Sequence, residues 1–218
     1  MNPVRNPERL NWRGCRRARL CRLVLSVLLV AWAWVCLGAD VQAMPAAAQT
    51  HRAALTRAAH LSWGLDAPIA ALAAQVHQES SWKPEALSRS GAVGLAQFMP
   101  ATARWWCELN KLEPLDCQPR NPSWALRAMV GYDKWLFDRT PAAYSRHDRM
   151  WVALRAYNGG LGHWQAEAKK AAGSSREAVD AACGLAKRHP LHCAENLGYP
   201  ARILGPLQRL YAGWGAQA

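Results

Sequence analysis

Residues 79–103 read ESSWKPEALSRSGAVGLAQFMPATA, and this stretch is the most informative part of the chain. Just before it, Ile69, Leu72 and Val76 recur at the spacing of one helical face, which predicts an amphipathic helix ending near residue 81. Proline, glycine and serine interrupt residues 82–99 too often for a long helix, so we expect a loop there with a short strand pair. The stretch therefore marks a helix end followed by a structured loop.

The rest of the chain has the pattern of an all-α protein. Alanine is abundant and runs of Val, Ile and Thr are scarce, a composition that favours helix over sheet. The fold class we predict is all-α, a single mainly helical domain with a small β or loop element over residues 82–99. Helices are predicted at 50–62, from a cap at Asp66 with Pro68 in the first turn to about Ser81, and at 100–109, 123–138, 146–157, 160–171, 175–186 and 195–212.

Residues 1–43 have the layout of a secretory signal peptide. An arginine-rich segment precedes an apolar run over 23–38, and Val41-Gln42-Ala43 offers small residues at the −3 and −1 positions of a cleavage site. The apolar run is 16 residues long, shorter than the roughly 20 residues that a membrane-spanning helix needs. We therefore expect cleavage after Ala43, export to the periplasm and a mature domain over 44–218; an uncleaved membrane anchor is the alternative.

Four cysteines follow the leader: Cys107, Cys117, Cys183 and Cys193. In an oxidising compartment an even number of cysteines suggests two disulfides, for which three pairings exist. Because two of the intervals are ten residues long and each brackets a polar, proline-containing stretch, we favour Cys107–Cys117 and Cys183–Cys193. Zinc binding is the alternative, but the sequence contains no CxxC motif.

The chain carries a formal net charge of +12, part of which belongs to the leader. A positive surface suits nucleic acid, anionic lipid or an anionic cell wall. The basic residues after the leader are scattered and no nucleic-acid-reading motif is present, so we expect no nucleic-acid partner. The histidines show no metal-ligand spacing such as HExxH, so neither a metal nor another cofactor is expected.

Glu79 is the candidate catalytic residue. It follows Val76 by three positions, so it continues the apolar stripe at the last turn of the predicted helix. A carboxyl group in that place is partly withdrawn from water, which raises its pKa and keeps the acid form available near neutral pH. A general acid that protonates a glycosidic oxygen has this requirement. A helix-end Glu whose side chain swings into water is the alternative interpretation.

The motifs around Glu79 resemble the signature of the soluble lytic transglycosylase family. That signature runs Glu-Ser, Pro-x-Ala-x-Ser and Gly-Ala-x-Gly-Leu-x-Gln-x-Met-Pro-x-Thr-Ala, and residues 79–103 match it in order. Residues 156–160, Ala-Tyr-Asn-Gly-Gly, resemble the family element Ala-Tyr-Asn-x-Gly, and residues 195–199 resemble a late Glu followed by Tyr. The resemblance spans residues 79–199 and implies a goose-type, lysozyme-like fold.

The resemblance implies an enzyme that cleaves the β-1,4 bond between N-acetylmuramic acid and N-acetylglucosamine in peptidoglycan. Glu79 would protonate the leaving oxygen and then take a proton from the 6-hydroxyl of muramic acid, which closes onto C1 as a 1,6-anhydro ring. Retaining and inverting glycosidases use two carboxyl groups instead. Between residues 80 and 107 the only other acid is Glu85, which favours the one-carboxylate lyase unless the distant Glu195 folds into the site.

The resemblance also assigns substrate-binding roles to Ser88, Gln97, Tyr157, Asn158 and Tyr199. The Ser88 hydroxyl is placed to bond an acetamido group, and Gln97 presents an amide on the side of the cleft. The ring of Tyr157 is suited to packing on a sugar face. Asn158 and Tyr199 can each hydrogen-bond the catalytic carboxyl or the substrate.

Five further residues carry weaker expectations. Glu195 resembles a structural Glu that orients its neighbours. Leu95 and Met99 are expected in the core. Ala96 stands where many family members have Met, so its smaller side chain is expected to widen the cleft. Trp82 is expected to form a wall beside the catalytic acid.

Two alternative functions stay open at this point: a hydrolytic muramidase on the same fold, and a non-catalytic wall-binding component of an envelope-spanning machine. The expected partner is the glycan strand of peptidoglycan, and the protein is expected to be a monomer. By analogy with small family members, we also consider the hypothesis that the protein opens the wall locally for a secretion or conjugation apparatus.

Overall fold

The computed structural model describes residues 43–218, so the predicted signal peptide lies outside the described residues apart from Ala43. Short 3-10 turns occupy Pro114–Asp116, Pro190–His192 and Ala212–Trp214. The α-helices are α1 Ala46–Trp63, α2 Ile69–Ser80, α3 Pro100–Leu109, α4 Pro122–Phe137, α5 Arg146–Gly159, α6 Leu161–Ala168, α7 Arg176–Ala181, α8 Cys193–Arg202 and, after a π-helical turn at Ile203–Leu207, α9 Gln208–Leu210. The predicted all-α fold class is confirmed.

Helix α2 lies at the centre of the fold, where α1 and the π-helical turn pack against it. Ile69, Leu72 and Val76 are buried as predicted, but so are the alanines between them. The helix is therefore enclosed on every side rather than on one face, because alanine side chains let neighbouring elements approach closely. Burying one Leu, Ile or Val side chain contributes about 1.5–3 kcal/mol to the stability of the fold. The core packing of α2 therefore holds the residues at its two ends in place.

The start of α2 differs from the prediction. Pro68 directly precedes the first helical residue, and no side chain caps the helix. Asp66 lies in the preceding turn, where its backbone carbonyl accepts a hydrogen bond from the guanidinium of Arg146. The Asp66 cap was therefore a wrong prediction, since the helix begins at Ile69, directly after Pro68, and the Asp66 side chain makes no capping hydrogen bond.

Local sequence signals set the starts of α3, α4 and α5. Pro100 and Pro122 occupy the first positions of α3 and α4, where a missing backbone N–H is harmless. The Asn121 side chain accepts hydrogen bonds from the N–H groups of Ser123 and Trp124, at 2.9 and 3.1 Å. Ser145 caps α5 by accepting a bond from the Asp148 N–H at 3.1 Å. These helices begin within one residue of their predicted positions.

The last two predicted helices are shorter than expected. The helix predicted over 175–186 ends at Ala181. Gly184 then adopts a left-handed φ of 80° in the loop that leads to Cys193. The helix predicted over 195–212 is interrupted because Pro206 lacks a backbone N–H and Gly205 has non-helical backbone angles. Glycine and proline therefore end the regular helix well before residue 212.

Both predicted disulfides are confirmed. Cys107 pairs with Cys117 and Cys183 with Cys193, and the Cα atoms are 5.9 Å apart in each pair. The first bridge joins the end of α3 to the 3-10 turn before α4, and the second closes the loop between α7 and α8. Each bridge therefore constrains a loop that has little regular structure of its own.

Helix α4 packs against α1 on one side and α5 on the other, and α5 also contacts α6 and α8. Residues 43–218 form one compact unit. Within this range, none of the helices has the length and apolar character needed to cross a bilayer.

Candidate active site

Glu79 lies in the last turn of α2, at the point where the chain reverses. Ser81 and Trp82 both have positive φ, 50° and 63°, which turns the backbone sharply after the helix. The Ser80 hydroxyl donates to the Leu95 carbonyl at 2.8 Å, joining the helix end to the following loop. Two consecutive residues in this disfavoured conformation are tolerated because the surrounding contacts hold them. Glu79 is therefore held on a rigid corner of the fold.

Trp82 belongs to this corner but not to the cleft. Its side chain is fully buried, and its indole N–H donates to the Tyr211 hydroxyl at 2.8 Å. The expectation that Trp82 forms a wall beside the acid was wrong, because the left-handed turn directs its ring into the core. Its function is to pin the chain just after Glu79.

The loop after α2 is held by paired backbone and side-chain bonds rather than by strands. Between residues 43 and 218 only isolated antiparallel bridges occur here, joining Val93 to Leu87 and to Phe98. The Ser88 hydroxyl accepts a bond from the Ala92 N–H at 2.9 Å, which closes a tight turn. The expected short strand pair is thus reduced to two bridges. The element is a structured loop.

Gln97 and Gly94 fix the second half of the loop. The Gln97 amide nitrogen donates to the carbonyls of Gly94 and Ala86, at 2.9 and 3.3 Å. Gly94 has a φ of 75°, and a Cβ atom there would collide with the carbonyl of Pro119. The Gln97 amide nitrogen therefore donates its hydrogen bonds within the loop, while the side chain still borders the cleft.

The candidate active site is a cleft of about 330 Å³ above this corner. Four of the residues predicted to contact substrate line it together with Glu79. Tyr199 lies behind the carboxyl rather than on the wall. The lining residues are Glu79, Ser88, Ser90, Ala92, Gln97, Phe98, Met99, Thr102, Tyr132, Tyr157, Asn158 and Glu195.

Burial raises the pKa of Glu79 from its ordinary value of 4.5 to about 7. The negative charge of Glu195 raises this pKa further, whereas the hydrogen bond from Tyr199 lowers it. The Tyr199 hydroxyl, on α8, donates directly to Glu79 Oε1. Near neutral pH the Glu79 carboxyl is therefore divided between its acid and base forms, which suits a group that must first give a proton and then take one.

Tyr157 and Asn158 lie at the end of α5, opposite Glu79. The Tyr157 hydroxyl donates to the Ala96 carbonyl at 2.7 Å, so its ring is fixed across the cleft. The Asn158 carbonyl oxygen accepts from the Asn196 amide at 3.0 Å. Within the described residues neither side chain hydrogen-bonds Glu79; the Tyr199 hydroxyl is the group that holds the carboxyl.

Several cleft residues were assigned wrongly or missed. Met99, expected in the core, is 41% exposed and lines the cleft, whereas Leu95 is buried as expected. Ala96 is fully buried, so its small side chain does not widen the cleft. Thr102 and Tyr132 line the cleft although neither was predicted to do so. Thr102 belongs to the motif over residues 79–103 and lies three residues after Met99, so the sequence could have indicated it as a cleft residue.

A buried ion-pair cluster lies directly behind Asn158, and sequence reasoning missed it. The Glu167 carboxylate accepts from Arg155 and Arg188, each at 2.7 Å, and all three side chains are almost fully buried. Arg155 also bonds the Asn196 carbonyl oxygen at 3.0 Å. Because Asn196 in turn donates to Asn158, the cluster positions one wall of the cleft.

Asp133 is a second buried acid near the cleft, on α4. Its carboxyl accepts one hydrogen bond from the Gln75 amide at 3.3 Å. Burial raises its pKa well above the ordinary value, and the charge of Glu79 adds to this effect. Asp133 is fully enclosed, so it does not face a substrate.

No cluster of three or more His, Cys, Asp or Glu residues within 43–218 is arranged to hold a metal ion. A larger cavity of about 640 Å³, between α3 and α4, contains none of the predicted site residues. The chemistry available in the described residues is therefore concentrated at Glu79.

Comparison with known proteins identifies the family. The model of the transglycosylase SLT domain matches residues 55–179, more than half of the chain. The chain is 36% identical over 106 residues to the membrane-bound lytic murein transglycosylase F of Alteromonas mediterranea, and 38% identical over 93 residues to that of Pasteurella multocida. These matches cover 49% and 42% of this chain but only 20% and 17% of the relatives.

Solved structures give the same fold. The 70 kDa soluble lytic transglycosylase of Escherichia coli matches with a TM-score of 0.56 at 21% identity, over 74% of this chain and 25% of that one. An inactive variant of the lytic transglycosylase Slt of Pseudomonas aeruginosa matches with a TM-score of 0.58 at 20% identity, over 77% and 25%. The helical fold of the described residues is thus the fold of these solved transglycosylases. The chain is a member of the transglycosylase SLT domain family.

Proposed function

We propose that this protein is a peptidoglycan lytic transglycosylase. It cleaves the β-1,4 bond between N-acetylmuramic acid and N-acetylglucosamine and leaves 1,6-anhydromuramic acid ends. The observation that carries the proposal is Glu79, a carboxyl with a pKa of about 7 on the floor of a cleft, held by Tyr199. Its similarity to lytic murein transglycosylases supports the same reaction class.

In the proposed mechanism Glu79 acts twice. As an acid it protonates the glycosidic oxygen, so the bond to C1 breaks and the N-acetylglucosamine side leaves with a hydroxyl. As a base it then removes the proton from the 6-hydroxyl of muramic acid, whose oxygen closes onto C1. The Tyr199 hydroxyl stabilises the carboxylate between these steps because it donates to the charged form.

The remaining cleft residues bind the sugars in this proposal. Ser88 and Gln97 border one side, and the ring of Tyr157 and the amide of Asn158 border the other. Ser88 and Tyr157 are already engaged with the backbone, at 2.9 Å to Ala92 and 2.7 Å to Ala96, so they form a pre-organised wall.

A hydrolytic muramidase is the second candidate, and one observation favours it. Glu195 lines the same cleft as Glu79, so the site contains two carboxyl groups rather than one. This weakens the argument from the local count of acids, since a second carboxyl is what a hydrolase requires. The choice between the two candidates therefore rests on the product.

Digestion of purified peptidoglycan, followed by mass spectrometry of the released muropeptides, tests the proposal. We expect anhydro ends, one water lighter than reducing ends, and a loss of about 10³-fold or more in rate for Glu79→Gln, in line with what a general acid contributes. Glu195→Gln is the matched variant in the same cleft and is expected to retain anhydro product. Reducing ends alone, abolished by Glu195→Gln, would identify a hydrolase instead, and a wild type that releases no muropeptides would restore the non-catalytic wall-binding interpretation.

We further propose that the protein acts in the periplasm on glycan strands as a monomer. The two disulfides of the described residues and the predicted leader support an oxidising location. Service to a secretion or conjugation apparatus stays a hypothesis. Fractionation of cells, with the protein found among osmotically released proteins, is the expected result, and retention in the cytoplasm contradicts it.

A further inference from the structure

The hydroxyl of Tyr211 bonds to residues on both sides of Glu79. It accepts a hydrogen bond from the Trp82 indole N–H at 2.8 Å, and it lies 2.8 Å from Nδ1 of His77. His77 lies two residues before Glu79 and Trp82 three residues after it, whereas Tyr211 is 134 and 129 residues away from them in the sequence. All three side chains are buried. One distant hydroxyl therefore joins the two flanks of the turn that carries the candidate catalytic acid.

The chemistry of these three groups sets the direction of both hydrogen bonds. An indole N–H can only donate, so the Tyr211 oxygen is the acceptor towards Trp82. The hydroxyl has one proton of its own, and it satisfies this donor by giving it to Nδ1 of His77, since an unused buried donor costs free energy. His77 is then a neutral imidazole with its proton on Nε2. Burial also lowers the pKa of His77, which favours the same neutral form.

The turn between His77 and Trp82 needs such a restraint because its backbone is strained. Ser81 and Trp82 both have left-handed φ, a conformation that costs free energy in residues other than glycine. The Ser81 N–H donates to the His77 carbonyl at 2.9 Å, so a relaxation of the turn would break the last hydrogen bond of α2. Glu79 lies inside that last turn, and its backbone would move with it.

The segment that begins with Tyr211 also holds the other end of α2. The N–H of Ala70, the second residue of the helix, donates to the Ala216 carbonyl at 3.2 Å. The first N–H groups of a helix have no partner within it, and no side chain caps α2. The Trp214 ring packs edge-on against Tyr211, with 5.1 Å between the ring centroids. Residues 211–216 therefore hold α2 at both of its ends.

We propose that Tyr211 is a positioning residue for Glu79: by joining His77 to Trp82, it fixes the backbone from which the carboxyl enters the cleft. Tyr199 holds the other end of the same side chain, because its hydroxyl donates to the carboxyl itself. The inference rests on the proposed function, since it concerns how Glu79 reaches a glycosidic oxygen. A general acid must be held within reach of the atom that it protonates, so a loosened turn lowers kcat rather than substrate binding.

Tyr211→Phe tests the proposal, because it removes the hydroxyl and keeps the buried ring. We expect kcat on soluble glycan strands to fall by about tenfold, because a misplacement of about 1 Å can cost on the order of 100-fold and a loosened turn is displaced only part of the time. KM is expected to stay unchanged, since Tyr157 and Asn158 of the cleft wall lie on α5.

Trp63→Phe is the matched control. It removes an indole N–H that donates to the Val130 carbonyl at 3.1 Å, and Trp63 does not line the cleft. Both variants are expected to unfold at lower urea concentration than the wild type, but only Tyr211→Phe loses kcat. Rates are measured at a temperature where circular dichroism shows each variant fully folded. An unchanged kcat in Tyr211→Phe, or a fall that Trp63→Phe reproduces, overturns the proposal.

Trp82→Phe removes the donor at the other end of the bond to Tyr211. If the two residues act through that bond, the double variant loses less kcat than the product of the two single losses. Losses that multiply would mean that Tyr211 does not act through Trp82, which contradicts the proposal.

An NMR titration of the Glu79 carboxyl separates this inference from the proposed function. Burial raises the pKa of Glu79 to about 7, and a loosened turn admits water to the carboxyl, so we expect this pKa to shift towards 4.5 in Tyr211→Phe. The variant leaves Glu195 and Tyr199, which also set this pKa, unchanged. The shift supports the positioning role even if the wild type cleaves no strand. A pKa that stays in place contradicts it even if the wild type is fully active.

Discussion

Two glutamates, Glu79 and Glu167, are withdrawn from water in opposite ways. Glu167 lies behind the cleft with both carboxylate oxygens on guanidinium groups, those of Arg155 and Arg188, at 2.7 Å. Among the described residues Glu79 has no cation partner, and its carboxyl accepts a hydrogen bond only from the neutral hydroxyl of Tyr199. Its pKa is raised to about 7, mainly by burial.

The difference shows how the surroundings of a buried carboxyl group decide whether it stabilises the fold or acts as an acid. A buried carboxylate that accepts hydrogen bonds from two arginines joins the elements that carry them. A carboxyl in a similar environment without a cation keeps its proton to a higher pH and becomes available as an acid. The presence of arginine, rather than the depth of burial, separates the two roles.

Removing the charge of Glu167 is expected to have the largest effect on stability. Glu167→Gln leaves the buried Arg188 without its carboxylate partner, while Arg155 keeps its second partner, Asp180, at 2.6 Å. Breaking a buried ion pair on one side costs about 3–5 kcal/mol in unfolding free energy. Urea denaturation followed by circular dichroism measures this loss. Glu177→Gln is the control, because Glu177 pairs with Arg176 at a position where its side chain is 67% exposed, and an exposed pair contributes less than about 1 kcal/mol. Equal losses in the two variants would show that Glu167 is no more important than a surface acid.

Removing the charge of Glu79 is expected to have the opposite effect. Since the pKa of Glu79 is about 7 in the folded protein and 4.5 as its ordinary value, the folded state holds the proton more tightly. The unfolding free energy of the wild type therefore falls as pH rises from 4.5 to 7, by about 3 kcal/mol. Glu79→Gln lacks this fall, so the variant becomes the more stable protein towards pH 7.

The measurement is the difference in unfolding free energy between Glu79→Gln and the wild type across that pH range. Glu85→Gln serves as the control, because Glu85 is an exposed acid of the same loop. If the difference in unfolding free energy stays constant with pH, Glu79 is solvated in the folded state. That result would support the alternative of a helix-end Glu whose side chain swings into water.

Local signals in the sequence account for what was predicted correctly. Pro100 and Pro122 start helices through their own backbone geometry, so no tertiary knowledge is needed. The ten-residue cysteine spacing sufficed for both disulfides. Glu79 itself was found through its apolar stripe and the motif around it.

Contacts between distant residues account for what was missed. The Arg155–Glu167–Asn196 network joins three helices, and a sequence shows charged residues at those positions as ordinary solvated groups. Met99 was expected in the core because an apolar side chain at a helix start does not reveal whether it faces the core or the cleft. Trp82 was misplaced because its left-handed backbone is set by the fold rather than by its own preferences.

Asn196 is the residue that connects the two environments, and its removal tests whether they are coupled. Asn196→Ala leaves Arg155 Nε without its acceptor at 3.0 Å and Asn158 without its donor at 3.0 Å. We expect a loss of about 1–3 kcal/mol in unfolding free energy, the cost of an unsatisfied buried group. KM is expected to rise more than kcat falls, because Glu79 and its partner are untouched. Asn110→Ala, which removes one bond to the Trp106 carbonyl at the end of α3, is the control; an unchanged KM in Asn196→Ala would mean that the cluster does not position the cleft wall.

The smallest expected effect is also the most specific to the Glu79 environment. Tyr199 donates to the charged form of Glu79 and so lowers its pKa, against the effect of burial. Tyr199→Phe removes that donor, and the pKa of Glu79 must rise further. Because Glu79 acts first as an acid, activity is lost as pH rises through this pKa, and the alkaline limb of the pH–rate profile shifts to higher pH in the variant.

The rate at the optimum is expected to fall by about tenfold, since the carboxylate formed after proton donation loses a charge-assisted hydrogen bond. Tyr144→Phe is the matched control, because its hydroxyl donates to the Ser174 carbonyl at 2.6 Å on an exposed surface. An alkaline limb that stays in place, or moves to lower pH, would mean that Tyr199 does not control the protonation of Glu79. A shift without a loss of rate would separate the two functions of the hydroxyl and show that it tunes the acid but does not stabilise the base.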